Sequence, residues 1–543
     1  MISKLRSTVF GSYNTYYVAT TGNNSNDGLT TATAWATLTY AASESSPVVA
    51  GDTVYIKAGN YGNENIVFAK SGIKGAPISF IGYKTTPGDR PPLLYSRANA
   101  DQYNAYVSTD MPTYNGSSRS SGVWLDLNTQ KYIVLKNLQG ATYLKGTETG
   151  LTRVSTFVAN NEKTYLDLYN IGCMTLGSGS GYSGHGLTFG SLSTRMANGN
   201  KVSYCVVVNA GAEAFCFNGD YNSIEFCKSF CNETTSSFPT DYYFMVSGNY
   251  NITKSCYIER ATAITGGHHG FTVKTNAEDV IDAAGSYPTI NCTGNQFYNC
   301  STYNMPESFC VRHRGATYNN FYKCYALGTH TGSGGGGVGQ GIMIRDGASN
   351  NTFEAIKTEN CHSGILFLDT VEDGGAASPV GSGNIIKNCV FDNTYIGINH
   401  QANVASDSGA NTIANCTFYK TRFHIDAARN CTQMVYKNII FYGGAADGNF
   451  NDGAFEADVV VGQFSNCVFY SITGGFAAGF TVGGTTAGLT SDPLFVDAAN
   501  GDFRLGASSP AKDAGLDLTY VLSDYSETAR ITTDYSIGAF ERA

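Results

Sequence analysis

Between residues 186 and 426 one short strand recurs nine times, and this repeat constrains the fold of the 543-residue chain more than any other feature. In a four-residue frame the first and third positions are apolar: Leu187/Phe189, Phe215/Phe217, Phe244/Val246, Phe271/Val273, Phe309/Val311, Ile342/Ile344, Ile365/Phe367, Ile396/Ile398 and Phe423/Ile425. Alternation with period two is the mark of an extended strand with one buried face. The fourth position varies, reading Gly190, Asn218, Ser247, Lys274, Arg312, Arg345, Leu368, Asn399 and Asp426. Successive fourth positions lie 23 to 38 residues apart, which leaves room for two or three short strands per period. Glycines interrupt every segment, so a helical repeat is excluded for most of the chain.

A second frame alternates with the first. Asn is followed five residues later by Cys at Asn200/Cys205, Asn222/Cys227, Asn251/Cys256, Asn295/Cys300, Asn319/Cys324, Asn384/Cys389 and Asn411/Cys416, and at Asn351 the Cys place is taken by Ile356. A position that accepts Cys or Ile is a small buried apolar slot. The 15 cysteines, an odd number without a C-x-x-C pair among these frames, therefore read as reduced core thiols, with disulfides or metal ligands as the alternative. Stacked in register, such units make an all-β solenoid, a parallel β-helix whose coils repeat at about 4.8 Å. The frame asparagines are expected at a sharp corner, in the left-handed conformation, with their amides bonding the coils above and below.

The ends differ from the middle, as solenoid caps must. Residues 1–15 read as an extension, 16–490 as the parallel β-helix and 491–543 as a closing segment. Within the second of these, residues 33–48 read as a short helical cap ahead of a strand at 52–57.

Composition narrows the function. Charged residues make up only 14% of the chain and the net charge is −9, which argues against a nucleic-acid partner, since phosphate binding needs a broad basic face. No run of 18 apolar residues exists, so no membrane span is expected. The start, Met1-Ile-Ser-Lys-Leu-Arg, shows no signal peptide, which leaves a processed secreted protein or one released on a virus particle.

Against this acidic background Lys274, Arg312 and Arg345 occupy the variable position in three neighbouring copies. Neighbouring coils would set these like charges about 5 Å apart, where they destabilise a sheet unless an anion joins them. The bland alternative is a solvated outer face. The largest insertions, 275–290 and 332–341, border the column, and long loops on a rigid scaffold are where sites tend to lie. His269, Arg314 and Asn399 are the other candidates for substrate contact. An acidic set, Asp346, Asp369, Glu372 and Asp373, follows two consecutive copies and reads as a glycoside hydrolase acid pair, as solvated turn acids, or as partners for Arg345.

The opening Tyr16-Tyr-Val-Ala-Thr-Thr-Gly with Asn26-Asp-Gly, Trp35-Ala-Thr-Leu and Gly51-Asp-Thr-Val-Tyr-Ile resembles the start of right-handed parallel β-helix proteins of the pectin-lyase-like superfamily. Asp492-Pro-Leu-Phe, Ser508-Ser-Pro-Ala and Ile537-Gly-Ala-Phe-Glu resemble their usual terminus. Val273-Lys-Thr-Asn and Phe309-Cys-Val-Arg-His are similar to the coil pair of chondroitinase B and related alginate lyases. That resemblance implies catalysis by Lys274, Arg312 and His313. Lys274, its pKa lowered by like-charged neighbours, would be the base that removes the proton α to a uronate carboxylate, and Arg312, with Arg345, would neutralise that carboxylate. It allows calcium as a cofactor, although Gly267-His268-His269-Gly270 stands where acidic calcium ligands are expected. Two functions follow as expectations. One is an extracellular protein, monomeric if a secreted enzyme, that binds an acidic polysaccharide and cleaves it by β-elimination. The other is a virion tail-spike or structural β-helix, expected as a homotrimer, with or without hydrolase activity from the loop carboxylates.

Overall fold

The structure is a computed structural model that describes residues 12–94, 109–116, 124–143, 157–159, 164–176, 186–190, 197–210, 213–231, 240–261, 268–275, 291–329, 339–368, 381–401, 409–427, 433–443, 463–472, 488–531 and 534–541. The chain divides into two compact units, Met1–Thr262 and Ala263–Ala543. Both are built of short parallel strands in the parallel β-helix arrangement that the repeat predicts, right-handed as the resemblance implies.

In the first unit Thr15–Val18 pairs with Thr53–Lys57, which pairs with Ile78–Tyr83. The cap helix spans only Leu38–Ala42, shorter than the 33–48 stretch expected. Trp35 is the reason. Its N–H donates to Tyr17 and its carbonyl accepts from Ala19, so the chain stays extended until Thr37, whose Oγ1 caps the helix by accepting the Tyr40 N–H. A column of strands then carries the repeat: Leu125–Asn128, Phe157–Ala159, Leu187–Phe189, Glu213–Phe217 and Tyr242–Val246. Its frame aromatics stack coil on coil, Phe189 on Phe217 at 4.7 Å and Phe215 on Phe244 at 4.4 Å.

In the second unit the corresponding column runs His269–Lys274, Glu307–Arg312, Gln340–Arg345, Ser363–Leu368, Ile396–Gln401 and Phe423–Ala427. Opposite it, Phe297, Phe321 and Phe353 stack along the core. In the tail, Phe503 and Phe540 pack with Val390 and Tyr419, and buried Arg530 donates to Asn388 Oδ1 at 2.9 Å while pairing with Glu541.

The pairing register corrects two of the nine copies. Ile398, not Ile396, pairs with Ile365, and His400 pairs with Phe367. The fourth-position residue of that copy is therefore Gln401, opposite Leu368. Asn399 stands instead in the column of Cys310, Met343 and Leu366, and Asp426 pairs with Asn399. A slip of two residues keeps the same strand face buried, so Ile396-Gly-Ile398-Asn-His400 satisfies the pattern in either register. His400 decides it by filling an apolar place.

The frame asparagines form the expected ladder. In the first unit Asn200 donates from Nδ2 to Asn222 Oδ1 and Asn222 to Asn251; in the second, Asn295, Asn319, Asn351, Asn384 and Asn411 form a run of the same kind, all at 2.8–3.0 Å. Their backbone is not left-handed, contrary to expectation. That conformation falls on the residue before each of them except Asn411, at Gly199, Tyr221, Tyr250, Gly294, Tyr318, Asn350 and Gly383, and on the residue before each frame Cys, such as Tyr204, Phe226 and Lys323. The amide has to lie along the stack to reach the next coil, and the preceding residue makes the bend. All 14 described cysteines are free and buried. Burial, then the neighbouring Cys416, pushes the Cys389 thiol well up.

Candidate functional site

The site is built on the ends of three consecutive strands of the second unit. Lys274 pairs with Arg312 and Arg312 with Arg345, and the next rung carries Leu368. This is not a solvated fringe. Arg312 and Arg345 are each only 8% exposed, and Lys274 is half-buried. A guanidinium cannot shed its proton, so burial at these positions requires a partner. Asp346 supplies one for both: its Oδ2 lies 2.7 Å from Arg345 Nε and 3.5 Å from Arg312 Nε.

The backbone explains how Asp346 reaches back. The residue after each arginine turns left-handed, His313 with φ 75° and Asp346 with φ 54°. The turn at His313 also brings its Nδ1 to 2.7 Å from the carbonyl of Thr275, the residue that follows Lys274. A carbonyl only accepts, so Nδ1 carries a hydrogen and donates it there, which fixes the ring and leaves Nε2 as its second nitrogen. Arg314 is exposed and lies across Gly347, where a Cβ would come within 2.5 Å of Arg314 Cγ. Gly347 has φ 85°, so this close approach and the backbone both favour glycine there.

At the other end of the same strands buried His269 pairs through Nδ1 with Glu307. Burial works to raise the Glu307 carboxyl, but His269, Arg345 and Arg312 outweigh it and hold it below the ordinary range. Cys310 completes a set with His269 and Glu307 whose ligand atoms all lie within 4.8 Å of one another. One oxygen donor with an imidazole and a thiol is not a calcium set, since calcium takes six to eight oxygens. The combination suits a softer ion of the zinc kind. Burial, then the Glu307 carboxylate, pushes the Cys310 thiol up, so an ion there would have to displace its proton.

The structure thus gathers Lys274, Arg312, His313, Arg345 and Asp346 around one strand end, with His269 at the opposite end and Arg314 on the rim. Asn399 is apart from them: it is buried, two rungs beyond Arg345, and donates to Ser363 Oγ at 3.3 Å. Asp369, Glu372 and Asp373 lie outside the described residues, as do nearly all of the two insertions. Sequence reasoning missed Glu307, although a signal existed: it stands five residues before Arg312, as His269 stands five before Lys274.

No helix among the described residues is long and apolar enough to cross a membrane. No protein-family model matches the chain, and no curated protein matches it. Among solved structures it is similar to a rhamnogalacturonan lyase, at 15% identity and a TM-score of 0.41, covering 81% of this chain and 91% of that one. A PL6 family alginate lyase, AlyGC, is similar at 11% identity and a TM-score of 0.46, covering 91% of this chain and 55% of that one. A PL6 family polysaccharide lyase from Pseudopedobacter saltans is similar at 13% identity and a TM-score of 0.35, covering 90% and 95%. With scores this low, the parallel β-helix stands on the pairing register itself.

Proposed function

We propose that the second unit binds an acidic polysaccharide of extracellular origin at the Lys274–Arg312–Arg345 column and cleaves it by β-elimination. The observation that carries this reading is the in-register ladder of three cations, two of them buried around a single shared carboxylate. Cations on adjacent rungs repel. A substrate carboxylate laid along them would relieve that repulsion, and guanidiniums hold a carboxylate in a fixed plane.

In this reading Arg312 and Arg345 neutralise the uronate carboxylate, which makes the carbanion-like transition state less costly. Lys274, in its neutral form, takes the proton from the carbon α to that carboxylate. The C–H electron pair becomes the new C=C bond as the C–O bond at the β carbon breaks, and a proton returns to the leaving oxygen. His313, anchored at Nδ1, relays that proton through Nε2 from Lys274 to the leaving oxygen.

The test is incubation with alginate, chondroitin and pectate while following the ultraviolet absorbance of the unsaturated product. Lys274→Ala should lower kcat by about 10²- to 10⁴-fold with binding retained, the range for a lost general base. Arg312→Ala should lose binding as well. Binding without unsaturated product from any acidic glycan would remove the elimination step and leave a glycan-binding protein. Absence of binding to all of them would sink the reading.

A further inference from the structure

A second feature lies wholly in the first unit and does not rest on the cationic column. One corner of successive coils carries Tyr132, Tyr165, Gly199, Tyr221 and Tyr250, aligned by a run of backbone bonds: Tyr132 N–H to Thr164, Tyr165 N–H to Asn198, Gly199 N–H to Asp220 and Tyr221 N–H to Asn249. All five are left-handed, with φ between 46° and 72°. Glycine adopts that conformation freely, whereas another residue is strained by roughly 1–2 kcal/mol. Four tyrosines are nevertheless placed there. They form two stacks, Tyr132 on Tyr165 at 5.0 Å and Tyr221 on Tyr250 at 5.4 Å. A stack is worth about 0.5–1.5 kcal/mol, less than the roughly 2–4 kcal/mol of strain in its two tyrosines, so stability does not favour tyrosine over glycine at this corner.

Gly199 separates the stacks. With no side chain there, Tyr165 and Tyr221 stand two coil spacings apart, about 9–10 Å. A ring held between two faces at carbon contact distance needs roughly 7–8 Å. Tyr165 takes up part of the difference by leaning over Gly199, where a Cβ would meet its ring edge at 3.0 Å. The tyrosines are open to solvent, Tyr165 at 43% and Tyr221 at 65% exposed. Polar groups flank the gap. Asn198 Oδ1 accepts the Asp220 N–H at 2.6 Å, and Asp220 Oδ1 accepts from Asn249, so an amide and a carboxylate are held half-buried beside the gap. Two aromatic faces with a donor and an acceptor at their rim fit a hexopyranose, whose C–H faces stack while its hydroxyls bond sideways.

We propose that the Gly199 gap is a binding slot for one neutral hexopyranose unit of a glycan, sandwiched between Tyr165 and Tyr221. The test uses the full chain and methyl β-glucopyranoside, methyl β-galactopyranoside and methyl α-mannopyranoside as probes, observed by ligand NMR. Being uncharged, they do not report on the cationic column. Gly199→Tyr, which would complete the stack in a conformation its neighbours already adopt, should weaken binding by roughly tenfold or more. Tyr221→Gly should do the same while relieving strain, and Tyr221→Trp should restore it. Melting temperatures of all three should stay near that of the parent, which separates loss of the slot from loss of the fold. Undiminished binding in folded Gly199→Tyr, or no binding of any of the three glycosides to the parent, would overturn the proposal.

Discussion

One column of strands in the second unit buries ionisable side chains in two opposite states. At the strand ends, Arg312 and Arg345 stay charged beside Asp346. Among the apolar frame positions, His400 lies in the column of Phe367, stacked on it at 4.6 Å with neither ring nitrogen hydrogen-bonded to any of the described residues, and burial pushes its pKa down to about 3. His424, edge-on to Phe441, is pushed down to about 3 by burial too. The side chains dictate the difference. An imidazole can release its proton and pack as an aromatic ring, whereas a guanidinium cannot and must be paired. A paired charge can take up a new anion, while a discharged ring is committed to packing. The first kind of buried polar residue is therefore the one to read as a site.

Acid should break this comparison with the largest effect. Both histidines have folded pKa values below the unfolded value of about 6.5, so the unfolded chain binds the proton first. Their stabilising contribution is fully present above about pH 6.5 and is lost as pH falls toward 3, by up to about 5 kcal/mol for each ring. Urea titrations at several pH values check this. His400→Phe, which continues the stack, should flatten the pH dependence while leaving neutral stability nearly unchanged. A slope that survives both His400→Phe and His424→Phe would mean that the rings are not discharged in the fold.

Removing a partner from the charged group should cost about 3–5 kcal/mol, because Asp346→Ala leaves two buried guanidiniums without their shared carboxylate. Thermal melts measure it. Adding Arg312→Met and Arg345→Met should return most of the stability while abolishing acidic glycan binding. If the triple variant is no more stable than Asp346→Ala alone, the carboxylate serves some purpose other than balancing the arginines.

What could be read in the chain follows the same division. The coil was legible because Phe309/Val311 and its relatives repeat a two-residue period, and Lys274, Arg312 and Arg345 were legible because they interrupt that repeat at one position. Register was legible only where polar residues flank the apolar pair. Ile396-Gly-Ile398-Asn-His400 offers two equivalent frames, and the aromatic role of His400 depends on discharge, which no pattern reveals. Burial of the arginines was not legible either, since an outward position on an isolated strand says nothing about what covers it. Asp346 was noted as a partner for Arg345, but its second contact, to Arg312, depends on a left-handed turn.

The smallest expected effect sharpens the comparison from its apolar side. Cys389 occupies the frame slot that Ile356 fills one coil earlier, and its thiol makes weak contacts, to the carbonyls of Lys387 at 3.2 Å and Phe353 at 3.7 Å and to the neighbouring Cys416. If the thiol counts as a small apolar group, Cys389→Val should change stability by less than about 1.5 kcal/mol, as volume-conserving core exchanges do. Asp346→Val, equally buried and also changed to valine, should behave like Asp346→Ala. Chemical denaturation of the two valine variants side by side is decisive. A loss at Cys389→Val as large as that at Asp346→Val would mean that the buried thiols are not simply packing, and that discharged and paired groups in this fold are not distinct in kind.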